Sequence, residues 1–283
     1  MEMAKPLVGL GFAMMSVSII ESLVALATRA VIIRQLGAES LGAYSAANSL
    51  SLLLVGFVLS AMIADYFPRL SASSSDHVQM NRIINEQVEV GLILAVPGIL
   101  MVISLAPWLV KGFYSSEFGE ATALLPWLAV GSLGRVAAWP MQAVMGAMGR
   151  SRWHLAVLLV LNAVLLLMIF SGLRFAGLAG LGCAFALHGI VLNISLARVA
   201  RRLCGFAYQR QTIVLALSTL SSVAAVFTAS LLLKPWLAAV LGVSVACVTS
   251  LVCLRALADR LGASHKLIRA AAAVPLLRTL CGI

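Results

Sequence analysis

Apolar residues fall in blocks of about twenty along the whole chain, with short polar breaks between them. A helix needs roughly 20 mostly apolar residues to cross a bilayer. Eight blocks meet that length, near 7–28, 43–63, 88–110, 121–148, 153–171, 176–197, 211–233 and 236–257. The pattern predicts an all-α, polytopic integral membrane protein with about eight transmembrane helices. Charges stand well inside two of the blocks: Glu21 in the first and Arg135 in the fourth.

Lipid offers polar atoms no partners, so polar residues inside spans should face the protein interior. Helical spacing places them on shared faces. Glu21, Ala25 and Thr28 form one stripe, and Tyr44, Asn48 and Ser51 form another. In the fourth block Gly131, Arg135, Trp139, Gln142 and Gly146 fall on one side, with Pro140 able to bend the helix. Gly182, Ala186 and Gly189 give the sixth block a face for close helix contact.

The longest break, roughly 64–87, reads ADYFPRLSASSSDHVQMNRIINEQ. Pro68 and the serine run 71–75 are expected to stop the second helix there. Residues 259–283 mix basic residues with Leu, Ile and Ala and read as an amphipathic cytoplasmic tail on the anionic inner leaflet.

Composition agrees with the blocks. The chain of 283 residues is 62% hydrophobic and 11% charged, with a mean hydropathy of +1.05. A soluble domain carries about 25% charged residues. The net charge of +10 would suggest nucleic acid in a soluble protein. Here the basic residues lie in short connections, so no nucleic-acid partner is expected. Of the 20 Lys and Arg, 14 fall on the side of the N-terminus, the even-numbered connections and the tail, against 5 on the other side. That bias predicts both termini in the cytoplasm. The five cysteines form no CxxC and read as packing residues.

Signatures of chemistry are few. GAMGRS lacks the Lys-Ser/Thr of a P-loop, and no HExxH or DxD is present. His77, His154, His188 and His265 are scattered over different segments. No enzyme, metal site or cofactor is expected. Arg135 is the informative residue. A central Arg costs about 2.5–3.5 kcal/mol on insertion scales, and it cannot shed its proton to avoid the cost. It needs an internal partner such as Glu21, or a water-lined cavity that admits an anion. Its planar fork suits phosphate.

LGAESLGAYSAANSLSLLLVGFVLSAMIADYFPRLS resembles a segment of the second half of bacterial O-antigen translocases. These are polysaccharide flippases of the multidrug/oligosaccharidyl-lipid/polysaccharide exporter superfamily. APWLVKGFYSSEFGEATALLPWLAVGSLGRV, MGAMGRSRWHLAVLLVLNAVL and GLAGLGCAFAL are similar to further family segments, so the resemblance covers about residues 6–205. It implies residues 1–205 as a six-helix lobe, 206–258 as two additional helices and 259–283 as the tail. It implies a multi-pass protein of the bacterial inner membrane that moves undecaprenyl-pyrophosphate-linked oligosaccharide by alternating access. Arg135 matches the basic residue of the family's cavity helix. With Gln142, Tyr44 and Asn48 it is the expected substrate-binding set, and Glu21 and Asp65 are the expected coupling or ion-pair residues.

The family's first six helices have no counterpart here. The expected partners are therefore a missing N-terminal lobe or second chain, the bilayer, the anionic lipid-linked substrate and polysaccharide polymerase or assembly proteins. Two other readings stand beside this one. A non-transporting scaffold of a polysaccharide assembly complex would pair Arg135 with Glu21. A multidrug exporter of the same superfamily would need a more acidic cavity.

Overall fold

The computed structural model describes the backbone of residues 4–114 and 118–261, and side chains from Met15 to Arg255 except those at 54, 57, 61, 64, 115–117 and 254. The expected tail 259–283 lies almost wholly outside the described residues. Among those described, the chain forms seven helices. They are α1 (Ala4–Leu36), α2 (Ala38–Ala72), α3 (His77–Phe113), α4 (Gly119–Ala147), α5 (Ser151–Cys204), α6 (Arg210–Leu232) and α7 (Pro235–Leu261). All seven contain a segment long and apolar enough to cross a membrane.

The eight blocks become seven helices because α5 contains two of them. Its 54 residues break at Ala176 and Gly177, where Gly177 adopts φ 56°. That left-handed backbone favours glycine, which has no Cβ to clash. The chain doubles back there. Gly172 and Gly180 touch backbone to backbone, and His188 Nε2 lies 3.0 Å from the carbonyl of Leu161. α5 is thus a helical hairpin with a first arm before Ala176 and a return arm after Gly177.

The expected long break at 64–87 is absent. α2 runs through Pro68 to Ala72, and only residues 73–76 separate it from α3. The overshoot is held by burial: Tyr66 and Leu70 are fully enclosed, and the Tyr66 hydroxyl donates to the Pro140 carbonyl at 2.7 Å. Asp76 then starts α3, its carboxylate accepting from the Val78 and Gln79 amides, both at 3.0 Å.

α3 is the most buried of the seven helices and α1 the least. α3 packs against α2, α4, α6 and α7. The five-residue connection from α5 to α6 is tied to α3 by Asn85. Its amide nitrogen donates to the Ala207 carbonyl at 3.0 Å, and its oxygen accepts from the Gln209 amide and the Thr212 hydroxyl, both at 2.9 Å. Thr212 also contacts the buried Glu89 at 2.5 Å. α4 also reaches α6, where the Trp127 and Phe227 rings meet edge to face with centroids 4.6 Å apart.

α4 and the return arm of α5 approach closely because both are glycine-rich at the crossing. A Cβ on Gly134 would stand 2.6 Å from Gly189 Cα, and one on Gly131 2.8 Å from the Phe185 carbonyl oxygen. Asn193 locks the crossing, its amide nitrogen donating to the carbonyls of Gly134 at 2.7 Å and Gly189 at 2.8 Å.

Candidate functional site

The crossing at Gly134 fixes the rotation of α4. With Gly134 against α5, the next residue, Arg135, points into a cavity of about 580 Å³ walled by α1, α2, α4 and both arms of α5. Trp139 and Gln142, four and seven residues on, line the same wall. Glu21 comes from α1, and Tyr44 and Asn48 from α2. Of the six residues singled out in the sequence, five therefore meet in one cavity.

Four of these five make no hydrogen bond to the protein among the described residues: Glu21, Tyr44, Asn48 and Arg135. No salt bridge joins Glu21 to Arg135, although the two line the same space. Arg135 is exposed into the cavity, so five guanidinium donors are open to a ligand or to water. Gln142 is engaged, its amide nitrogen 3.2 Å from His154 Nε2.

Asp65 stands elsewhere. It lies on the overshooting end of α2, bound to Arg69 at 3.1 Å, and Arg69 reaches on to Glu86 of α3 at 3.1 Å. Arg82 completes this network through Glu86 at 2.8 Å. The hydrogen bond to Asp65 holds the Arg69 guanidinium above its ordinary pKa. Asp65 is exposed in this ion-pair network and does not line the cavity.

Sequence reasoning missed three cavity residues. His154 and Asn162 come from the first arm of α5 and His188 from the return arm. A signal was present: His154, Leu158, Asn162 and Leu165 form one helical stripe, as do Phe185, His188 and Leu192. What brings the stripes together is the hairpin. His188 donates its Nε2 proton to the Leu161 carbonyl, since a carbonyl only accepts. Among the described residues, no group of three or more His, Cys, Asp and Glu could hold a metal ion.

Comparison with known proteins agrees with the resemblance drawn from the sequence. Residues 1–123 match the model of a family described as polysaccharide biosynthesis protein. No curated protein sequence matches the chain. In fold it is similar to the lipid II flippase MurJ in an inward closed conformation, at TM-score 0.59 and 13% identity over 84% of this chain. It is also similar to an outward-facing multidrug resistance MATE family transporter of the MOP superfamily, at TM-score 0.58 and 16% identity over 98% of this chain. The chain spans about half of the flippase structure, 53%, and 76% of the transporter structure. The chain thus matches a polysaccharide biosynthesis family model over residues 1–123 and is similar in fold to a lipid II flippase and to a MATE family transporter.

Proposed function

We propose that this chain forms part of a flippase that moves a pyrophosphate-linked oligosaccharide on an undecaprenyl carrier across the bacterial inner membrane. The observation that carries this reading is Arg135: a permanent cation at the middle of a span, with no ion pair or hydrogen bond among the described residues, facing a cavity of about 580 Å³. Away from bulk water, its attraction to a diphosphate is screened far less than at a surface. Tyr44 and Asn48 supply open hydrogen-bonding groups beside it, and Gln142 a further amide. Glu21 is the acid on the facing helix, suited to a coupling cation or proton. The substrate would be an O-antigen or similar repeat unit.

The cavity is walled by α1, α2, α4 and α5. A second lobe or second chain would close its open side, and rocking of the two bodies would expose the site to either leaflet. The scaffold reading requires Arg135 to be neutralised by Glu21, and that pair is not formed.

The test is complementation. Arg135→Ala should abolish surface display of the polysaccharide while the protein still inserts, and Arg135→Lys should retain part of it, having the charge without the fork. Full display by a correctly inserted Arg135→Ala protein would overturn the reading.

A further inference from the structure

Beside the large cavity lies a second, much smaller chamber of about 20 Å³, between α2, α4 and the return arm of α5. One water needs roughly 10–15 Å³ by this measure and two to four polar partners. Five polar residues line the chamber: Asn48, Ser51, Ser132, Arg135 and His188. So dense a polar lining is unusual at the middle of a bundle.

The hydrogen atoms can be counted. Ser51 and Ser132 are buried, and their hydroxyl oxygens lie 2.6 Å apart. One hydroxyl donates to the other, so one of the two protons is left over. Among the described residues neither serine makes a further hydrogen bond. Many serine and threonine hydroxyls in these helices bond a carbonyl three or four residues back, as Ser45 and Ser104 do. This pair gives up that option. His188 uses its Nε2 proton on Leu161, which leaves Nδ1 as an acceptor. Asn48 and Arg135 make no hydrogen bond to the protein among the described residues. The lining thus offers two kinds of donor, the spare hydroxyl and the guanidinium, and two acceptors, His188 Nδ1 and the Asn48 amide oxygen.

We infer that the chamber is the site of one bound water, which accepts from the Ser51–Ser132 pair and from Arg135 and donates to His188 and Asn48. Two donors and two acceptors suit water, which itself accepts two hydrogen bonds and donates two. An anion would face the two acceptors, and a cation would face Arg135. The water joins a long, flexible side chain to a rigid three-helix contact, so Ser51 and Ser132 act as positioning residues for Arg135. That role rests on the reading of Arg135 as the phosphate ligand; the water site does not.

The experiment uses the full chain in lipid nanodiscs. Density at about 2 Å should show a peak within hydrogen-bond distance of Ser51 or Ser132 Oγ and of His188 Nδ1. The peak should weaken or vanish in Ser132→Ala and in Ser51→Ala. No peak in the wild type, or an undiminished peak in both variants, overturns the water site. Affinity for a short prenyl pyrophosphate is then measured in a double-mutant cycle with Arg135→Ala. Ser132→Ala should weaken binding about tenfold, the size of one hydrogen bond to a charged group, and should add nothing once Arg135 is gone. Additive losses overturn the positioning role. If Arg135→Ala itself leaves affinity unchanged, the phosphate reading fails, while the density still decides the water.

Discussion

Gln142 on α4 and His154 on α5 face each other across the turn that joins their helices, amide nitrogen to imidazole Nε2 at 3.2 Å. An amide nitrogen only donates, so the imidazole nitrogen accepts, and the ring carries its proton on Nδ1. The pair ties the start of the hairpin to the wall that bears Arg135. His154→Ala should free Gln142 and lower transport a few-fold with normal insertion, measured by display of the polysaccharide. His154→Gln, which restores an acceptor, should recover most of the loss.

Gly134 and Gly189 meet with no room for a methyl group. The atoms in the way are backbone, so they cannot rotate aside. Gly134→Ala should destabilise the protein by about 1–3 kcal/mol, the usual cost of overpacking a tight contact, read as a lower unfolding temperature in detergent. The same substitution at Gly56, where a Cβ meets nothing within 4 Å, should be nearly neutral.

Asn85 is fully buried and serves the connection between α5 and α6 with both its oxygen and its nitrogen. Asn85→Leu leaves the Gln209 amide and Ala207 carbonyl without these partners. The expected cost is about 2–4 kcal/mol, with faster hydrogen exchange at residues 205–212 than elsewhere in the chain.

Asp65 and Arg69 form an exposed pair, and such pairs contribute about 0–1 kcal/mol. Asp65→Asn should leave both stability and transport close to wild type. The raised pKa of Arg69 means that its share is present below its unfolded value and lost only in strong alkali. Stability from this pair should therefore not change as the guanidinium is taken across the neutral range, as unfolding at several pH values would show.

Much of the cavity was legible because helical spacing is enough to put Glu21, Tyr44, Asn48, Arg135 and Gln142 on inward faces. Span length and polarity carry that information locally. Asp65 lies outside the cavity, in its ion pair with Arg69, for a reason that is not local. Nothing local shows that α2 passes through Pro68 and stays ordered to Ala72, since the cause is the burial of Tyr66 and Leu70 against other helices. The same overshoot removed the expected long break. His154 and His188 looked unrelated because they are 34 positions apart, and only the turn at Gly177 sets them on one wall. The small chamber depends on a hydroxyl pair contributed by two helices, Ser51 and Ser132, which no spacing along one helix reveals.

The turn at Ala176 and Gly177 also bears on how the cavity can move. Two of its walls are arms of a single hairpin, pinned where Gly172 meets Gly180 and again where His188 meets Leu161. One arm cannot shift without dragging the other. What looks like five helical staves around the cavity behaves as four, and any tilt of α5 must carry His154, Asn162 and His188 along together as one passenger group.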